Sequence, residues 1–408
     1  MEKTNIIKQN IIRENNVKNI IELLSDQPYS CLEISNKIEL SDVGVNKIIK
    51  QLLSFDLVKR VDYDEDKKKI GGQHIRYAVN EKVGVYVCLD LTEYYDNAFI
   101  YDFSGKIIKT LKLEISHIAE KSEIENVIKT LKSHLELLLV EYKNILGVGI
   151  AVPGQINKNT NEFIETSRFK MFKDDELYKM FEKEFKTQII IRHNVHMMAI
   201  GESYKGKLAS DYDIATHIYS GMGLAASVMV EGKCISGWNG YAGEIGGNKI
   251  LPFSTLSRHC SIGRILYKAR ETYPDLTVDG LFDLYVKDES FHSTVNESAT
   301  IMAMFMNNVT NLLGCNLFII SGLILRFGDE YLNIIREFLD KYAPIKVSVQ
   351  KSSLENAAII GAVKLLKDFA IIDYYRKAVQ NSVWRIVKIW YKVILKVIYF
   401  FENLYYFL

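Results

Sequence analysis

Cysteine is scarce and scattered in this chain of 408 residues. There are five, Cys31, Cys88, Cys234, Cys260 and Cys315, and none forms a C-x-x-C pair. That pattern excludes the disulfide framework of a small secreted domain and points to a reduced, cytoplasmic protein. Proline is equally scarce, with five residues, so long helices can run unbroken. Net charge is almost absent, since Lys+Arg 51 against Asp+Glu 50 leaves +1. Whole-chain electrostatics therefore announce no nucleic-acid partner. No secretory hydrophobic region is expected, because Lys8, Asn10, Arg13 and Glu14 break the first apolar stretch. What is present is 48% hydrophobic and 25% charged, the composition of a globular protein with a large core. The length suits two to four domains.

The first eighty residues have their own rhythm. Val17, Ile20, Ile21 and Leu24 carry helical spacing over 16–24. A second short helix is expected over 31–38 with Ser30 as N-cap. After a turn at 39–41, a third helix starts near Ser41 and puts Val45, Ile48, Ile49, Leu52 and Leu53 on one face. A strand over 57–63, a polar loop over 64–72 and a strand over 74–79 follow. Three helices and a two-stranded ribbon form the pattern of a winged helix-turn-helix over residues 1–80.

In such a unit the helix after the turn enters the major groove. Its candidate DNA-contacting residues here are Ser41, Asp42, Asn46, Lys47, Lys50 and Gln51. The amides of Asn46 and Gln51 suit bidentate base contacts, and Lys47 and Lys50 suit phosphate. The loop of the wing offers Lys67, Lys68, Lys69, Gln73, His74 and Arg76. Residues 1–80 hold 13 Lys+Arg against 12 Asp+Glu, so the unit is not strongly basic. A protein-interaction module stays open as the alternative.

From Gly84 the pattern changes to alternating strands and helices. Strands are expected over 85–90, 97–102 and 145–152, and an amphipathic helix over 124–142. About 285 residues of α/β sequence run to Asp368 and are expected to form two lobes. Residues 384–408 are different again. There Arg385, Lys388, Lys392 and Lys396 recur at helical spacing through an apolar run. Packing on the body, oligomerisation and a membrane surface are the readings of that extension.

Several motifs in the body resemble those of the ROK family, which joins repressors, open reading frames and sugar kinases. The segment Ser236-Gly237-Trp238-Asn239-Gly240-Tyr241-Ala242-Gly243-Glu244-Ile245-Gly246 is similar to "G-x-x-G-x-AGEIGH". Residues 147–154, Gly-Val-Gly-Ile-Ala-Val-Pro-Gly, resemble "GIGIGVPG", and Ala199-Ile200-Gly201-Glu202 resembles the end of "ENDANAAALGE". Leu40-Ser41 and Gly71-Gly72-Gln73 sit where the repressors have "LS" and a "GRP"-like wing. The resemblance spans about Lys18 to Asp368. It implies a winged helix-turn-helix joined to a two-lobed, actin-like (ribonuclease H-like) sugar-kinase fold. Lobe 1 would span 81–200 with a returning helix at 355–369, lobe 2 would span 201–354, and 370–408 would form an additional C-terminal helix.

The resemblance also implies what a kinase would need. Its first phosphate loop, D-I-G-G-T, stands here as Asp90-Leu91-Thr92-Glu93-Tyr94. Its second, G-T-G-I-G-A-G, stands as Gly221-Met222-Gly223-Leu224-Ala225-Ala226-Ser227. Its catalytic Asp is Asn194, an amide that takes no proton at neutral pH. Its zinc ligands are reduced to Cys260, with Gly247 in the place of the His. The expectation is a non-enzyme with no cofactor and no metal. Of the sugar-holding positions, Glu244 is retained, His193 and Asn194 remain polar, and Arg168 would favour an anionic group. Either a sugar or sugar phosphate is bound through these four residues, or no effector is bound. The expected function is a regulator of carbohydrate metabolism, most simply a homodimeric repressor on operator DNA.

Overall fold

The computed structural model describes residues 2–61, 75–92, 96–206, 212–251 and 254–380. The chain opens with α1 (Glu2–Asp26), longer than the 16–24 segment that periodicity picks out. β1 (Tyr29–Ser30), which carries no sequence signal of its own, leads into α2 (Cys31–Ile38). Ser30 caps α2 reciprocally. Its hydroxyl accepts from the Glu33 N–H at 3.3 Å, and the Glu33 carboxylate accepts from the Ser30 N–H at 2.8 Å. Glu39, left-handed at φ 55°, ends α2 and turns the chain into α3 (Asp42–Ser54). Val45, Ile48, Ile49 and Leu52 of α3 are buried, as their spacing requires. β2 (Val58–Val61) and β3 (Arg76–Val79) pair antiparallel, with β1 on the other edge of β3. The loop of the wing, 62–74, lies outside the described residues, and with it Lys67, Lys68, Lys69, Gln73 and His74.

The body then follows one plan twice. In lobe 1, β4 (Val85–Asp90), β5 (Asn97–Asp102) and β6 (Ile107–Lys112) form an antiparallel meander. After α4 (Lys121–Leu138), β7 (Ile145–Val152) pairs parallel to β4. A small hairpin, β8 (Gln155–Ile156) with β9 (Phe163–Glu165), and α5 (Glu176–Phe185) precede β10 (Ile189–His193), which pairs parallel to β7. The sheet order is β10-β7-β4-β5-β6. α6 (Asn194–Lys205) carries the chain to lobe 2.

There β11 (Ile214–Ser220), β12 (Leu224–Val230) and β13 (Lys233–Cys234) repeat the meander. The hairpin β14 (Lys249–Leu251) with β15 (Ser254–Thr255) and the helices α7 (Leu256–Cys260), α8 (Ile262–Ala269), α9 (Val278–Lys287) and α10 (Glu289–Leu313) follow. β16 (Leu317–Ser321), α11 (Asp329–Tyr342) and β17 (Ser348–Lys351) complete the lobe, with β16 and β17 parallel to β11. The order β13-β12-β11-β16-β17 mirrors lobe 1, three antiparallel strands and then two parallel ones. This is the duplicated, actin-like architecture that the sequence led us to expect.

The last described element is α12, residues 357–380. No break falls at 369, where the returning helix was expected to end. Residues 370–380 continue the same helix, and Ala370, Ile371 and Tyr375 are buried in the core shared with α1. The expected basic row at 385–396 lies outside the described residues. α12 lies on the glycines of β7. A Cβ on Gly147 would stand 2.7 Å from a Leu366 methyl, and one on Gly149 3.1 Å from the Ala362 Cβ. It crosses α6 still more closely. A Cβ on Gly201 would stand 2.0 Å from the Ala357 carbonyl oxygen, and one on Gly361 1.9 Å from that of Met197.

α12 also binds α1 through an antiparallel ladder of ion pairs. Lys364 meets Glu22 at 3.0 Å, Asp368 meets Lys18 at 2.7 Å, and Arg376 meets Glu14 at 2.6 Å. Between them Lys367 is buried, donating to the Ser25 hydroxyl at 3.2 Å and the Ser104 carbonyl at 3.0 Å. Burial pulls its ammonium down to about 8. The winged unit and lobe 1 thus share one core across α12. Among the described residues no helix is long and apolar enough to cross a membrane.

Gly361→Ala must push two backbones apart and is expected to cost about 3 kcal/mol or more. Gly247→Ala, where an added Cβ meets nothing within 4 Å, should stay within about 0.5 kcal/mol of the parent. Urea unfolding followed by circular dichroism compares the two.

Candidate functional site

Two regions gather the residues singled out by sequence. The first is the outer face of α3. Ser41 is the N-cap, its hydroxyl accepting from the Gly44 N–H at 3.2 Å. Asn46, Lys47 and Lys50 are exposed, and the Asn46 amide donates to the Asp42 carbonyl at 2.8 Å. Val43, passed over in sequence because it breaks the apolar face, stands 80% exposed beside them. Gln51 does not join this face. Its amide oxygen accepts from Arg13 at 2.6 Å and from the Tyr375 hydroxyl at 3.0 Å, so it belongs to the seam of α1, α3 and α12. Arg76 also turns inward, meeting the Glu33 carboxylate at 2.6 Å and the Pro28 carbonyl at 3.4 Å. Spacing alone could not separate these two from residues that face solvent.

The second region surrounds the N-terminus of α6. The strand β10 delivers His193 and the helix begins at Asn194, both buried. His193 is held neutral, its imidazole pulled down to about 3 by burial and by neighbouring His196. The two rings meet edge to face with centroids 5.5 Å apart. His196 is tied to the glycine-rich loop through the Ala242 carbonyl at 3.3 Å. That loop needs its glycines. Gly243 has φ +96°, and a Cβ there would stand 1.9 Å from the Ala226 carbonyl oxygen. A Cβ on Gly240, φ +87°, would lie 2.8 Å from the Ile156 carbonyl oxygen, so the loop presses against β8. It presents Glu244, half-buried, whose carboxyl is raised by burial while a hydrogen bond from Gln155 opposes the rise.

Gln155 is the polar residue that the sequence reading missed. It is 3% exposed, and its amide oxygen has no partner among the described residues. Its signal was its position directly after Pro153-Gly154. Asn194 likewise makes no side-chain hydrogen bond among the described residues. Gln155 pairs with Glu244 through its amide while its oxygen stays without a partner among the described residues.

Arg168, expected to meet an anionic ligand, is spoken for. Its guanidinium grips Asp96 at 2.8 and 2.6 Å and donates to the carbonyls of Leu91, Ile115 and Ser116 at 2.9, 3.1 and 3.2 Å. Both partners are nearly inaccessible, 3% and 9% exposed. Beside them Asp90 is closed on itself, accepting from the Thr92 N–H at 3.1 Å and its hydroxyl at 2.5 Å. Burial raises the Asp90 carboxyl to about 7, with Asp96 adding repulsion. Glu93 and Tyr94 lie outside the described residues.

His259 and Cys260 do not converge. His259 meets the Ser254 hydroxyl at 2.7 Å, while Cys260 is buried and donates to the Ser298 carbonyl at 3.4 Å. No metal-sized group of His, Cys, Asp and Glu occurs among the described residues.

Asp90 gives the site a pH signature. A carboxyl raised from about 4 to about 7 contributes stability that is intact below pH 4 and lost as pH rises through 7. Asp90→Asn keeps the acceptor without the charge. Its stability relative to the parent should improve by about 1–4 kcal/mol between pH 4.5 and 7.5, measured by urea unfolding at both values. An Arg168→Ala variant strands Asp96 and should lose about 3–5 kcal/mol at pH 7.5, with or without sugar.

The model of the ROK family matches residues 86–369. The xylose repressor of Caldicellulosiruptor bescii is 22% identical, over 84% of this chain and 93% of its own. The DNA-binding transcriptional dual regulator NagC of Escherichia coli K12 is 20% identical, over 83% of this chain and 89% of its own. A solved ROK family transcriptional regulator, a homologue of the E. coli MLC protein, superposes with a TM-score of 0.74. That match covers 90% of this chain and 99% of the other at 15% identity, which speaks for the fold.

Proposed function

This chain belongs to the ROK family, and from that premise we infer that it is a sugar-responsive, DNA-binding transcriptional repressor. The observation that carries this reading is the extent of the similarity to named regulators. It covers 84% of the chain, more than the matched body alone, and so takes in sequence beyond the kinase-like lobes. The exposed face of α3 supports it. Asn46 supplies an amide for a base edge, Lys47 and Lys50 supply phosphate contacts, and Val43 suits a thymine methyl. The near-neutral charge of the winged unit favours recognition by a few placed residues over general attraction. The protein acts in the cytoplasm as a homodimer, each winged unit reading one half-site.

The effector on this reading is a neutral sugar. Gln155, His193, Asn194 and Glu244 offer one amide after another, an uncharged imidazole and a carboxyl, which suit hydroxyl groups. With Arg168 committed to Asp96, none of these four residues offers a cation for a phosphate. Phosphoryl transfer has little support. The residue at the family's base is Asn194, and Asp90 is turned into its own loop. With ATP and a panel of hexoses, turnover should stay at background.

The test is binding of the full chain to its own upstream DNA across a salt series. Binding should weaken as salt rises, and Lys47→Ala and Lys50→Ala should each lower the log–log slope by about 1. Asn46→Ala should cost about 1–3 kcal/mol on the best site and relax one base position. Glu244→Gln should leave DNA affinity intact without sugar and remove the sugar response. An absence of salt-sensitive binding to any DNA overturns the reading.

A further inference from the structure

A second cavity, of 560 Å³, lies behind the cleft, where α6, the β12–β13 hairpin, α12 and α1 meet. His196 forms the wall between the two. One side of its ring is tied to the Ala242 carbonyl of the glycine-rich loop, and the residue also lines this rear cavity. Along β10 the side chains alternate, so His193 faces one way and Arg192 the other, into the rear cavity.

The charges there do not cancel. Glu22 is answered by Lys364 at 3.0 Å, and Asp368 by Lys18 at 2.7 Å and Lys364 at 2.8 Å. Both acids of the cavity are thereby neutralised. Arg192 has no carboxylate partner among the described residues. Its one hydrogen bond is 2.7 Å to the carbonyl of the preceding residue, Ile191. Its side chain is half-buried, and burial alone pulls its guanidinium downward. Lys233, exposed at the hairpin, likewise has no carboxylate partner among the described residues. It follows a turn that is left-handed at Glu231 (φ 49°) and Gly232 (φ 72°), and it lines the same space. The hydroxyls of Ser203 and Ser236 also line the cavity and make no hydrogen bond among the described residues.

We propose that this rear cavity is a second small-molecule site, which takes a phosphate monoester between Arg192 and Lys233. A monoester carries close to two negative charges at neutral pH, matching the two unanswered cations. Its three terminal oxygens can accept from the Arg192 fork, the ammonium and the two hydroxyls. A lone carboxylate would leave one cation unmatched. The volume suits a phosphorylated metabolite of sugar size. The inference is independent of the proposed repressor activity, since binding is read without DNA.

The experiment is calorimetric titration of the full chain with inorganic phosphate, against sodium chloride of matched ionic strength and against malonate. Saturable phosphate binding is expected, with malonate weaker. Arg192→Gln should weaken it at least tenfold, equivalent to about 1.4 kcal/mol. Lys233→Ala should weaken it about threefold or more, and Glu244→Gln in the front cleft should leave it unchanged. Lys233 is exposed at the start of β13, so that variant decides the matter where Arg192→Gln does not fold. The proposal is overturned by the absence of saturable binding above the chloride control. It is equally overturned by binding that persists unchanged in Lys233→Ala, or by binding that disappears in Glu244→Gln.

Discussion

The two-sided helix contact on which this molecule depends is the crossing of α6 and α12 at Gly201 and Gly361. Each glycine faces a carbonyl of the other helix at a distance that no Cβ can occupy. The rest of the arrangement depends on that contact. α6 links the lobes and begins at the cleft. α12 returns from lobe 2, lies on the two glycines of β7 and continues to the winged unit. Had either helix stood one side chain further out, α12 would no longer reach α1 in register with Lys18 and Glu22. A single steric constraint therefore places the start of α6, the link between the lobes and the winged unit on one pair of helices.

The polar interior divides by the same geometry. Groups that hold elements together are densely bonded. Arg168 commits both terminal nitrogens to Asp96 and three carbonyls, and Glu202 accepts from Ser352, Ser353 and Leu354 where α6 meets the segment after β17. Groups that face the cavities are not. The Gln155 oxygen, the Asn194 amide and the Arg192 guanidinium have capacity left over. A buried polar group without a partner is costly, and these groups are what the two proposed sites are built on. The distinction depends on partners far away in sequence, with Asp96 and Arg168 separated by seventy-two positions.

That distance explains what could be read from the chain and what could not. Local signals were legible. The Ser30 cap, the apolar face of α3, the strands at β4, β5 and β7, and the glycines of the 237–246 loop all rest on neighbours a few residues apart. The long-range outcomes were not. α1 extends well beyond its recognisable stripe, and α12 meets it as far as Glu14. β1 has two residues and exists only as a partner for β3. Gln51, Arg76 and Arg168 look like free recognition groups in sequence, and each is consumed by a residue at least thirty-eight positions away. Gln155 failed in the opposite direction. Nothing about a glutamine after a Pro-Gly turn marks it, until the loop bearing Glu244 is seen resting on the same strand.

The same connections suggest how a signal could travel. A ligand changes an equilibrium only through contacts that differ between two states. In the cleft, those contacts involve the first turn of α6 and the loop pressed on β8, one from each lobe, so a change in lobe closure alters them directly. α6 cannot rotate without moving α12, because their backbones touch. α12 ends its described course with Tyr375 packed edge to face against Phe55 and hydrogen-bonded to Gln51. Gln51 sits one turn beyond Lys47 on α3. The seam at Gln51 is thus the point where a shift of α12 becomes a shift of α3, and the three exposed polar residues beside it move as a rigid set. Coupling of this kind runs both ways. On the proposed function, DNA that fixes α3 in one position would also favour one arrangement of α6, through the same two glycines.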